Sequence, residues 1–163
     1  MKKVISNASP LIALSNISQL ELLEKLFQKI IIPKAVYQEV VEEGKGRIGA
    51  KEVKKAIDKW IEVKEVKNSN EVKTLRAILD YGEAEVIVLA QEIEADLLIL
   101  DNREPRLFTK HLGFKLIGTI GILISAYEKG YLENPIEKIF ELKVKGFYIS
   151  DRLLTEIIKQ LKR

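Results

Sequence analysis

Three short runs, Val4-Ile5-Ser6, Ile30-Ile31-Ile32 and Leu97-Leu98-Ile99-Leu100, are almost continuously apolar. A strand wetted on one face alternates apolar and polar side chains. Runs without alternation suit strands covered on both faces, as in a parallel sheet flanked by helices. The segments between them carry helical spacing. Helices are predicted over Gln19–Phe27, Lys34–Glu43 ending before Gly44, Ala50–Asp58 and Ser69–Leu79. A break at Gly82 precedes another over Glu83–Ile93. Further helices are expected over Arg103–Leu112 closed by Gly113, Ile120–Lys129 capped by Thr119, Pro135–Lys143 and Ser150–Leu161. Ser9 is the predicted cap of a first helix, with Pro10 in its opening turn. Trp60–Val66 alternates apolar and charged residues, as an exposed or edge strand does, and Phe114–Ile117 reads as a last short strand. Strands alternating with helices imply a three-layer α/β/α architecture around a central, mostly parallel sheet.

The chain of 163 residues suits one domain, residues 1–163, with a core of its own. Lys and Arg total 27 against 24 for Asp and Glu, a net charge of +3 that permits a nucleic-acid partner without requiring one. The sequence contains no cysteine, which excludes disulfides, thiolate zinc sites and a cysteine nucleophile. Its one histidine, His111, lies in the basic stretch Arg106–Leu112 and reads as a solvated helix position. The start of the chain turns polar too early for a secretory signal, and no apolar run reaches membrane-spanning length. A cytoplasmic location is the expectation. Abundant Lys, Glu and Ile with a single Met are compatible with a thermophilic source.

Four segments set an acid or amide beside the end of an apolar run: Val4–Pro10 with Asn7, Val36–Val40 with Glu39, Gly82–Glu85, and Leu97–Asn102 with Asp101. Open parallel sheets bind ligands beyond the carboxyl ends of their strands, near the point where strand order reverses. Asn7 and Asp101 both follow strands, and the helices carrying Glu39 and Glu83 can reach the same end. Carboxylates gathered from separate elements are what a hard divalent cation needs. Each residue also has a structural reading: Asn7 and Ser9 favour turns and caps, Glu83 and Glu85 suit a helix start, and Asp101 or Asn102 suits a turn. Glu83 and Glu85 are two residues apart and do not share a helix face, so one is expected in the cleft and the other as a cap. Arg103, Arg106 and Lys110 follow closely and suit a phosphate backbone or a solvated face. No glycine-rich phosphate loop is present.

The segments Ser6–Leu14, Ile32–Val40, Gly82–Ala90, Ala95–Arg103 and Gly118–Gly121, in this order and spacing, resemble the PIN-domain ribonucleases. Within them the chain is similar to a branch of short prokaryotic proteins linked to toxin–antitoxin loci, over Val4 to about Ser150. The resemblance implies a metal-dependent endoribonuclease cutting single-stranded RNA, the toxin of such a pair. The catalytic positions fall at Asn7, Glu39, Glu83 and Asp101, with Glu85 and Asn102 as alternative registers. Mg²⁺ or Mn²⁺ falls to Glu39, Glu83 and Asp101, and Ser9, Arg103 and Thr119 are the candidates for holding substrate. The implied partners are RNA, a small antitoxin protein and a second copy of the chain. Asn7 stands where the family has an Asp. It brings in the alternative of a catalytically weak or inactive RNA- or protein-binding module.

Overall fold

In the computed structural model, which describes residues 2–162, the apolar runs are strands. The first half of the chain runs β1 (Val4–Ser6), α1 (Ala8–Asn16), α2 (Leu22–Phe27), β2 (Ile30–Pro33), α3 (Lys34–Tyr37), a π-helical turn (Gln38–Glu42), α4 (Ala50–Ala56) and β3 (Ile61–Lys64). The second half continues α5 (Ser69–Leu75), α6 (Tyr81–Ile93), β4 (Leu97–Ile99), α7 (Arg103–His111), β5 (Leu116–Ile117), α8 (Thr119–Glu128), α9 (Pro135–Val144) and α10 (Asp151–Leu161).

The five strands form one sheet in the order β3-β2-β1-β4-β5. Every pairing is parallel, so the expected mostly parallel sheet is parallel throughout. β1 lies at the centre, with Ile5 opposite Ile31 on one side and Leu98 on the other. Ile5, Ile30, Ile32, Leu98, Ile99 and Leu100 have essentially no contact with solvent. This burial on both faces is what the unbroken apolar runs require. The alternating segment forms β3 at one edge, where Glu62 and Lys64 stay outward. Helix α6 packs across β1 and β2, with α5 and α3 against it. Helix α2 packs on β2 and meets α8, which also carries α1 and α9. The result is the three-layer α/β/α arrangement, with the strand order reversing between β1 and β4.

Several boundaries differ from expectation. Helix α1 starts at Ala8, one residue before Ser9, so its cap position is Asn7 and Pro10 lies within the first turn. Gly82 does not break a helix but sits inside α6. That helix opens on a reciprocal cap in which Asp80 Oδ1 accepts from the Glu83 amide and Glu83 Oε1 accepts from the Asp80 amide. Thr119 is the first residue of α8, and Gly118 occupies the cap position. The helix expected over Lys34–Glu43 changes character at Gln38. There the Glu43 amide reaches back to the Gln38 carbonyl at 2.7 Å, the wider π register.

Candidate active site

β1 and β4 end side by side, and the Asn7 amide donates to the Ile99 carbonyl at 3.1 Å. This fixes the turn out of β1 against β4 and buries Asn7 to 4 % exposure. The Asn7 side chain makes no cap bond to its own helix. It faces the first turn of α6. A methyl group built on Gly82 would lie 3.2 Å from Glu39 Oε1, 3.5 Å from Asn7 Oδ1 and 3.6 Å from Val36 Cγ2. Residues remote in sequence, Asn7 and Glu39, thus converge on one glycine whose missing side chain leaves them room.

Glu39 lies in the π-helical turn and is exposed, with its Oε1 directed toward Gly82. Loss of water pushes its pKa above the ordinary 4.5, and the negative charges of Asp80, Glu43 and Glu83 push it further in the same direction. The charges that move it are all negative, so the carboxylate sits in an uncompensated acidic field.

Glu83 and Asp101 are held by donors. Glu83 Oε2 accepts from Asn102 Nδ2 at 2.7 Å while its other oxygen closes the α6 cap. Asp101 Oδ1 accepts from the Thr119 amide at 2.8 Å, and Oδ2 accepts from the Thr119 hydroxyl at 2.6 Å. Gly118 makes this approach feasible: a methyl group there would lie 2.8 Å from Asp101 Oδ1 and 3.1 Å from an Arg106 guanidinium nitrogen. That same guanidinium donates to the Leu100 carbonyl at 2.6 Å, pinning the end of β4. Glu85 is turned away to another task. Its Oε1 accepts from the Ala35 amide at 2.8 Å and caps the buried start of α3.

The candidates divide accordingly. Asn7 and Glu39 meet at Gly82, and Glu83 is bonded to Asn102 beside Asp101. Ser9, half-buried on α1, instead lines a groove against Leu142 and Phe147. Arg103 is exposed at the first turn of α7. Thr119 is buried, with both donors on Asp101, so it acts as a clamp on that carboxylate rather than as an open contact for substrate. Asp80 was missed from the sequence, although the spacing Asp80-Tyr81-Gly82-Glu83 is a readable cap signal.

Among the described residues no group of three or more acidic, histidine or cysteine side chains is arranged to hold a metal ion. Glu39, Glu83 and Asp101 are therefore not gathered into one direct ligand shell, contrary to expectation. Glu83 and Asp101 have turned their oxygens toward protein donors. Each carboxylate oxygen retains a further lone pair, and Asn7 Oδ1 adds a neutral oxygen. This donor chemistry fits a hard cation that keeps most of its water, as Mg²⁺ does, with Glu39 as the most available carboxylate.

A family model described as a PIN domain matches residues 3–163. The chain belongs to the PIN-domain family and carries its nuclease-type fold. Among curated proteins none matches the chain.

Proposed function

We propose that this chain is an endoribonuclease that cuts single-stranded RNA with Mg²⁺ or Mn²⁺, and that it serves as the toxin of a toxin–antitoxin pair. The observation that carries the reading is the meeting of Asn7 and Glu39 over Gly82, with the charges of Asp80 and Glu83 acting on Glu39, in a chain of the PIN family. Divalent-metal dependence is general among PIN domains, and the family implies RNA binding. A bound cation supplies a Lewis acid and an activated water for phosphodiester hydrolysis. The chain's own part is positional. Thr119 fixes Asp101, Asn102 and the Asp80 cap fix Glu83, and Gly82 admits Glu39. Arg103 and Lys110 are exposed on α7 and offer charge to phosphates, whereas Arg106 is engaged with Leu100. A small antitoxin protein and a second copy of the chain are the proposed partners.

The test is cleavage of a labelled single-stranded RNA with Mg²⁺ or Mn²⁺ by the wild type and by Asp101→Asn. The substitution is expected to lower the rate by about 10²-fold or more, the scale seen when one preorganised electrostatic group is lost. Activity indifferent to the substitution, or to a chelator, sinks the proposed site.

Asn7 favours a second reading, a PIN fold that binds RNA or protein without cutting. An amide contributes an oxygen but no charge, which weakens cation attraction. If the wild type is inert and Asn7→Asp gains metal-dependent cleavage, the second reading holds for the natural chain.

A further inference from the structure

Tyr81 is the first residue of α6, between Asp80, whose charge acts on Glu39, and Gly82, where an added methyl group would lie 3.2 Å from Glu39 Oε1. Tyr81 is 42 % exposed. The Arg76 guanidinium lies over its ring, 4.7 Å from the centroid. Arg76 is itself exposed, and Ile78 between them is 61 % exposed. Burial pushes the Tyr81 hydroxyl up, followed by the Glu85 charge, while Arg76 and Lys34 act in the opposite direction. Glu85 is in turn fixed on the Ala35 amide. An exposed aromatic ring thus stands one residue from Gly82 at the start of α6, with the Arg76 guanidinium against it.

This is the equipment for binding an unpaired nucleotide. Every base has a π-face that stacks on an aromatic ring or a guanidinium plane, and nearby cations take the phosphates. An acidic cleft repels an RNA backbone, so a substrate strand needs an attractive hold just outside it. We propose that Tyr81, with Arg76 over its ring, is a base-stacking platform that holds a nucleotide of single-stranded RNA beside the Asn7–Glu39 cleft. The inference rests on the ribonuclease reading and adds to it a substrate-binding residue outside the acidic set.

Fluorescence anisotropy with a short labelled single-stranded oligoribonucleotide tests it, alongside strands carrying one abasic position moved stepwise along the sequence. Measurements in chelator keep the strand intact. Tyr81→Leu is expected to weaken binding about tenfold, the size of one lost base stack. Tyr81→Phe is expected to bind like the wild type. One abasic position is expected to weaken the wild type and leave Tyr81→Leu unaffected, a dependence that a merely structural role would not produce. Arg76→Leu, which leaves Tyr81 itself in place, should show a smaller loss of the same kind and serves if thermal melting finds Tyr81→Leu unfolded. Wild type that binds RNA while Tyr81→Leu, or Arg76→Leu in its place, binds equally well overturns the platform and leaves the ribonuclease reading intact. Wild type that neither binds nor cuts RNA overturns both.

Discussion

Gly82 and Gly118 are two glycines of the site for which a methyl group has opposite consequences. At Gly82 the nearest atom is the end of the Glu39 side chain at 3.2 Å, which can swing aside. Gly82→Ala is therefore expected to leave stability unchanged or raise it by up to about 1 kcal/mol, as Gly→Ala does in a helix. RNA cleavage should fall, because Glu39 is displaced from Asn7. At Gly118 the methyl group meets Asp101 Oδ1 at 2.8 Å, and Asp101 is pinned by two bonds from Thr119. Gly118→Ala is expected to cost about 1–3 kcal/mol in chemical denaturation, the usual range for overpacking. Glu39 makes a prediction of its own. Its raised pKa means that the folded protein holds this proton more tightly than the unfolded chain does. The stabilising contribution is complete below the ordinary 4.5 and is lost as pH rises through the elevated value. In metal-free protein the melting temperature of Glu39→Gln relative to wild type should rise across that window and then level off. A gap that shrinks with rising pH contradicts the account.

The elements show what a linear reading can and cannot reach. The β2 and β4 runs were legible because burial on both faces leaves no polar alternation, and the β3 edge was legible because alternation is present. The start of α1 was not. Asn7 takes the cap position without making a side-chain cap bond, its carbonyl amide facing Gly82 instead, so the more conventional signal at Ser9 misled. Gly82 read as a breaker because its propensity is poor. The Asp80–Glu83 cap and close packing against Glu39 outweigh that cost. The π-helical turn carrying Glu39 has no sequence signature of its own. It arises at the junction of α3 with the chain leading to Gly44, and such turns recur at functional sites. Glu85 links two of these elements. Glu85→Ala leaves the Ala35 amide without its acceptor at the buried start of α3 and is expected to cost about 1–3 kcal/mol. Because α3 leads directly into the turn bearing Glu39, its cleavage rate should fall as well. Full stability in that variant, read by denaturant titration, would show that α3 does not depend on the cap.

For the whole molecule, the strand order decides which remote residues meet. With β1 central and the order reversing at β4, the ends of these two strands lie side by side at the switch point. Asn7 and Asp101 could be placed there from the sequence because each follows an apolar run. Whether Glu39 and Glu83 join them depends on how α3 and α6 pack, which the sequence leaves open. The fold brings Glu39 to Asn7, while Glu83 and Asp101 are each fastened by neighbouring donors. A site of this kind sets function against stability. Glu39, whose surroundings favour its protonated form, costs the folded protein stability once it is ionised, and it is the carboxylate proposed to draw a cation. The most direct test is the rate of single-stranded RNA cleavage against Mn²⁺ concentration for wild type and Glu39→Gln, with melting temperatures measured on the same samples. The account predicts a wild-type rate that saturates with metal and disappears with chelator. It predicts a Glu39→Gln rate about 10²-fold lower, in a protein at least as stable. A wild type that is inert or indifferent to metal, or a Glu39→Gln variant that cuts equally well, contradicts it.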